Sequence, residues 1–203
     1  MTQYDVLLAA RAEYMEQLNQ CMIPVLSDTF QTLYKKATND FHSSDPWEYV
    51  QRRFQEYVRQ VSTWSSKLIH AQLFDIKQKC DYVESLIHSI MLSQCKILLS
   101  VKDGDTEDTE NQLHIPDTNT IVHAIFTATA RIVWKHTYLY LVKNKHVVQK
   151  QKQHEELHAL YRKGVEQGLR NSLPFSTIVG IVTKNAVTSP NSTAIPPLSS
   201  KIV

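Results

Sequence analysis

Apolar side chains recur at alternating steps of four and three along much of the chain. The clearest run comprises Ile69, Leu73, Ile76, Cys80, Val83, Ile87, Ile90, Gln94, Ile97 and Val101. Because an α-helix has about 3.6 residues per turn, this spacing places the ten side chains on one face of a single long helix. A break in that helix, if there is one, is expected between Asp75 and Asp81. The chain also has no glycine before Gly104, and glycine is the residue that tight turns most often need.

Two segments ahead of this run show the same spacing. The first begins at Thr2 or Asp5 and reaches about Thr38, and Pro24 inside it is expected to kink the helix or split it in two. The second begins after Pro46. The side chains expected to face inward from these two helices are Met15, Leu18, Met22, Leu26, Phe30, Leu33, Ala37, Trp47, Val50, Phe54, Val58 and Val61.

Two further helices are predicted after Pro116. The earlier one is capped by Asp117 or Thr118, and its inward side chains are Ile121, Ile125, Ala128, Ile132 and Val133. The later one ends near Asn171 and carries Gly164 and Gly168 one turn apart. Such a pair either lets another helix approach closely or marks a weak helix end.

These patterns predict an all-α fold, a bundle of five to seven helices that includes a long central helix. Residues 1–184 form the helical domain, and residues 185–203 form an extended Ser/Thr/Pro-rich tail. We expect a core that contains Trp47, Phe54, Ile87, Ile90, Ile125 and Ile132. In that core, the Ile87 and Ile90 turn packs against the helix that carries Ile125.

Composition narrows the function only slightly. The net charge of +2 points to no polyanionic or polycationic partner, so nucleic acid is not expected as one. No run of 18 apolar residues predicts a transmembrane segment, and residues 1–11 do not resemble a secretory signal. The chain has three cysteines, an odd number, and they are widely spaced: Cys21, Cys80 and Cys95. This favours reduced thiols in a cytoplasmic compartment over a set of disulfide bonds.

One catalytic motif occurs, His154-Glu-Glu-Leu-His158, which matches the H-E-x-x-H pattern of zinc peptidases. Its flanks are polar, and Glu166 lies two helical turns after His158, too far to complete a metal site. The acidic residues 103–110 do not have the ligand spacing of a calcium loop. We therefore expect no enzyme activity, no cofactor, no metal and no small-molecule substrate.

Several short motifs follow one another in a characteristic order. They are residues 7–18, Pro24, Phe30, Leu33, Tyr34, Ala37, Trp64, residues 87–101, Ile115 and Pro116, residues 130–135 (Ala-Arg-Ile-Val-Trp-Lys), Tyr138 and Leu139, residues 173–175 and Ile178. Over residues 5–182 this order resembles a family of uncharacterised all-helical proteins encoded by nucleocytoplasmic large DNA viruses. The resemblance implies a virus-encoded protein and a component of the virion, made in the host cytoplasm. It supplies no catalytic residues, and the tail lies outside it.

The expected function is that of a minor capsid protein of a giant DNA virus. It would bind other capsid proteins, major and minor, on the inner side of a large icosahedral capsid. In the tail, Val187, Ile195, Leu198, Ile202 and Val203 are spaced like anchors for shallow pockets on a partner. The alternative is a soluble regulatory or nucleic-acid-associated factor that uses the basic residues 143–163.

Overall fold

A computed structural model describes residues 3–41, 46–99, 114–141 and 146–187. This part of the chain contains seven α-helices and no strand, which confirms the predicted fold class. The helices are α1 (Gln3–Asn39), α2 (Trp47–Gln60), α3 (Ser66–Lys79), α4 (Val83–Leu99), α5 (Thr118–Lys135), α6 (Val147–Asn171) and α7 (Phe175–Val187). Two 3₁₀ turns, Val61–Thr63 and Thr137–Tyr140, follow α2 and α5. None of the described helices is long and apolar enough to cross a membrane.

The long central helix is α1, with 37 residues, and it packs against α2, α3, α4 and α6. Pro24 lies within α1 and does not split it. Its side chain is exposed, whereas Met22 and Leu26 on either side of it are fully buried. Packing on both sides of the proline therefore offsets the backbone hydrogen bond that the proline removes.

The apolar run after Ser66 forms two helices, so the prediction of a single continuous helix is wrong and the expected break near Asp75 to Asp81 is present, at the end of that interval. The break falls at residues 80–82, where Cys80 adopts an extended backbone conformation, φ −154° and ψ 94°. The side chains of Ile76, Cys80 and Val83 are all buried across the break. The apolar pattern therefore continues where the helix does not.

The core prediction is mostly confirmed. Phe54, Ile87, Ile90 and Ile125 are buried to at least 99%. Trp47 is 46% exposed, because it is the first residue of α2 and this helix becomes buried only from Phe54 onwards.

Two further details of the core differ from expectation. Ile132 is half-buried, because the inward face of α5 is centred on Thr129 and Val133. The turn of Ile87 and Ile90 does lie near α5, but α4 packs mainly against α1.

The largest helix–helix contact joins α5 and α6, and it depends on the two glycines of α6. A Cβ atom added at Gly164 would lie 2.2 Å from Thr129 Oγ1, and one added at Gly168 would lie 2.3 Å from Ile125 Cα. Of the two alternatives for this pair, the structure therefore shows close approach of another helix. No larger residue fits at either position unless the helices separate.

All three cysteines are buried free thiols. Burial raises the pKa of Cys21 to about 12 and also raises the pKa of Cys95. A thiol with a raised pKa holds little thiolate at neutral pH, so Cys21 and Cys95 are poor nucleophiles.

Candidate partner-docking surface

The last helix, α7, carries one buried apolar side chain and two partly exposed ones next to it. It follows Leu173 and Pro174, and its inner side chain Ile178 is only 4% exposed where the helix packs against α4. Phe175 is 44% exposed and also lines the cavity beneath this helix, and Val179 is 55% exposed. These two side chains lie four residues apart and so share one face of the helix. The bundle therefore covers the apolar side chains of α7 only in part.

Packing beneath the start of α7 is incomplete. A cavity of about 330 Å³ remains there, lined by apolar side chains such as Met91, Leu169 and Phe175 together with the polar Gln94 and Glu166. Arg11 also lines it, and its Nε atom is buried without a hydrogen-bond partner. The helix is therefore attached to the bundle by a small, loosely packed contact.

The predicted tail anchors begin where the described residues end. Val187 is the last residue of α7, and its side chain is not described. Ile195, Leu198, Ile202 and Val203 lie outside the described residues, so their role stays a prediction. The outer face of α7, defined by Phe175 and Val179, lies just before this segment in the chain. We call that face the α7 docking face.

The structure brings the two histidines of the H-E-x-x-H motif together on α6. The ring centroids of His154 and His158 are 4.4 Å apart. Partial burial, and then the nearby His154 and Arg162, lower the pKa of His158. Among the residues that the structure describes, no group of three or more His, Cys, Asp or Glu side chains could hold a metal ion. The pair therefore supplies at most two ligands of the three that a catalytic zinc site takes from the protein.

Among the basic residues of 143–163 that the structure describes, Arg162 is paired with an acidic residue. Arg162 donates two hydrogen bonds to the carboxylate of Glu16, at 2.6 and 3.0 Å, and so joins α6 to α1. These bonds lower the pKa of Glu16. Lys150 and Lys152 are exposed on the first turns of α6, whereas residues 143 and 145 lie outside the described part.

Residues 4–141 match the model of a family of unknown function, DUF5764. The chain belongs to this family. No curated protein and no solved structure shows significant similarity to the chain. The DUF5764 match covers α1 to α5 and ends before α6, so the α7 docking face lies outside it.

Sequence patterns alone did not reveal the α7 docking face. The sequence of this segment is largely apolar, and an apolar segment of this length is equally typical of a buried element. The spacing of Phe175 and Val179 was the available signal. Its meaning depends on α7 packing against α4 through Ile178, and the sequence does not show that contact.

Proposed function

We propose that the chain is a structural protein of a large DNA virus particle, a minor capsid protein without catalytic activity. It binds other capsid proteins, major and minor, on the inner side of an icosahedral capsid. The observation that carries this proposal is the α7 docking face, which presents Phe175 and Val179 to solvent. Exposed apolar side chains grouped on one helix face are typical of protein–protein contact sites.

Burial of this face would supply part of the binding free energy. Complete burial of a Val or Phe side chain contributes about 1.5–3 kcal/mol, and roughly half of each of these two side chains is still exposed. The two side chains together would therefore contribute about 1.5–3 kcal/mol. This is too little for a stable complex, since a micromolar one needs about 8 kcal/mol. The tail anchors after α7 would have to supply further contacts.

The virion context comes from the resemblance of residues 5–182 to proteins of nucleocytoplasmic large DNA viruses. The small net charge of +2 also suits a protein packed among other proteins better than one that coats a genome. The alternative, a soluble regulatory or nucleic-acid-associated factor that uses residues 143–163, stays a prediction. The pairing of Arg162 with Glu16 removes one cation from that stretch and so weakens it.

The first experiment is to quantify this protein in purified virus particles by mass spectrometry. A stoichiometric copy number per capsid is expected. Its absence from particles purified free of host material would overturn the proposal.

A matched pair of variants then tests the docking face. Val179→Glu places a charge on the outer side of α7 and is expected to lower incorporation into particles several-fold. Val148→Glu makes the same change on α6, where the side chain is 63% exposed, and should incorporate normally. Both should keep the melting temperature of the unmodified chain, because neither side chain is in the core. Equal incorporation of the two variants would remove α7 as the contact surface.

A further inference from the structure

A groove between α2 and α5 carries positive charge and an exposed aromatic ring. Helix α2 is joined to the end of α5 by Gln55, which donates to the carbonyl oxygen of Trp134 at 3.2 Å, and to the 3₁₀ turn after α5 by Gln51, which donates to Thr137 Oγ1 at 2.7 Å. Beyond these contacts the helix surfaces leave a groove of about 430 Å³. Its polar and aromatic lining consists of Arg59, Ser62, Thr127, Arg131, Trp134 and Lys135.

The spacing along α5 places the functional groups on one side of that helix. Arg131 lies three residues before Trp134 and four before Lys135, so its side chain is a neighbour of both on the helix surface. Arg59 adds a third cation from α2, and no carboxylate lines the groove. Within the part of the chain that the structure describes, these three cations form no ion pair. The groove therefore carries an uncompensated local charge that the overall value of +2 conceals.

A purely structural role explains only part of this arrangement. Cations in the last turn of a helix interact favourably with the helix dipole, and this accounts for Arg59 on α2 and Lys135 on α5. It does not account for Arg131, one turn earlier, because the dipole effect is confined to the terminal turn. Nor does it account for the indole ring of Trp134, which is 40% exposed next to Arg131.

We propose that this groove binds single-stranded nucleic acid. A base stacks on the exposed face of Trp134, and the flanking phosphates bind Arg131, Lys135 and Arg59. Cationic grooves with exposed aromatic rings are typical of proteins that bind single strands, since every base offers a face for stacking. Arginine donates paired hydrogen bonds to phosphate oxygens, and the hydroxyls of Ser62 and Thr127 add further donors.

The indole is the reason to favour a nucleic acid over an acidic protein segment. Carboxylates would bind the same cations, but they offer nothing that stacks on Trp134. A duplex would also bind the cations, but its bases are already stacked on one another. At about 430 Å³ the groove is at the lower end of the size range of ligand sites, so it holds about one nucleotide of a longer strand. This site does not depend on the proposed capsid role, because it lies on a different surface from the α7 docking face.

The test uses the full chain and a fluorescently labelled twelve-nucleotide oligouridylate, with binding followed by anisotropy at low salt. The double variant Arg131→Gln/Lys135→Gln is expected to weaken binding at least tenfold. It should also reduce the slope of log K against log salt by about 1.4, because two phosphate contacts are lost at about 0.7 each. Trp134→Leu is expected to weaken binding at least fivefold, the lower part of the range for one stacked base.

The matched control is Lys150→Gln/Lys152→Gln, which removes the same charge from the exposed start of α6. This variant should bind as tightly as the unmodified chain. All variants change exposed side chains, and circular dichroism should show unchanged helix content.

Four results would overturn the proposal. The unmodified chain could fail to bind the oligonucleotide at low salt. The α6 control could lose as much affinity as the groove variant, which would assign binding to residues 143–163. Trp134→Leu could bind normally, or poly-glutamate could compete as well as the oligonucleotide does, and either result would exclude base stacking.

Discussion

Replacement of glycine by alanine is expected to destabilise the chain at the two glycines of α6 and to stabilise it at the glycine of α7. In an exposed helix, replacement of glycine by alanine stabilises the folded state by about 0.5–1 kcal/mol, because glycine is the more flexible residue in the unfolded chain. Gly180 on α7 is such a position, since an added Cβ atom would meet no other atom within 4 Å. We expect Gly180→Ala to raise the free energy of unfolding by that amount.

At Gly164 and Gly168 the same methyl group has no space. The nearest backbone atoms to an added Cβ are Thr129 Cα at 2.9 Å and Ile125 Cα at 2.3 Å, whereas ordinary van der Waals contact begins at 3.4 Å. Helix α5 would have to move by about 0.5 Å at one position and about 1 Å at the other. Overpacking of this kind typically costs about 1–3 kcal/mol. After subtraction of the propensity gain, we expect a net loss of about 0.5–2 kcal/mol for Gly164→Ala and a larger loss for Gly168→Ala.

Urea denaturation of the three variants, followed by circular dichroism, measures these differences. From most to least stable, we expect Gly180→Ala, the unmodified chain, Gly164→Ala and Gly168→Ala. If alanine at positions 164 and 168 stabilised the chain as it does at 180, the close approach of α5 and α6 would be wrong.

Three other predictions follow from the core and from the histidine pair. Ile90→Ala should lower the free energy of unfolding by about 2–5 kcal/mol. Trp47→Ala, at an exposed site, should change it by no more than about 0.5 kcal/mol. Similar effects of the two substitutions would contradict the assignment of the core. Elemental analysis of the purified chain should find no stoichiometric zinc. One equivalent of zinc that is lost in the His154→Ala/His158→Ala variant would contradict this prediction. The pKa of His158 is lowered in the folded state, so the unfolded state binds more protons as the pH falls below about 6.5, and the free energy of unfolding should decrease there. The His158→Gln variant should show a smaller decrease. An identical pH profile for the two chains would show that His158 is not the cause.

The periodic pattern predicted the helices well where one face of a helix is buried along its length. In α1, the predicted side chains Leu18, Met22, Leu26, Phe30 and Ala37 are all fully buried. The pattern was a poorer guide where burial continues through a change in backbone direction. Cys80 kept the apolar spacing across the break between α3 and α4, so nothing in the spacing marked that break.

Residue type also predicted burial poorly at the ends of helices. Trp47 is apolar and correctly spaced, but the first residue of α2 lies beyond the part of that helix that enters the core. The partners of Gly164 and Gly168 were not predictable either. Thr129 and Ile125 lie at least 35 residues away in the chain, and periodicity carries no information on which helices become neighbours.

The groove between α2 and α5 could not be predicted from the sequence for the same reason. The spacing of Arg131, Trp134 and Lys135 can be recognised in the sequence, but Arg59 joins them only because α2 packs beside α5. The basic residues 143–163, by contrast, are contiguous in the chain and visible in the sequence. Arg59 and Arg131 are 72 positions apart, so the sequence does not show that they line one groove.

The matched family region and the folded unit have different boundaries, and this difference bears on where function resides. The DUF5764 match ends at Leu141, yet Ile125 and Thr129 are fully buried because α6 lies against them. A chain that ended at Leu141 would expose that face of α5, so α6 or an equivalent cover is needed for the matched part to fold as it does here. The groove lies within the match and the α7 docking face lies outside it. If members of the family share a binding function through the matched residues, the groove is the surface that can provide it, whereas docking through α7 requires the C-terminal extension.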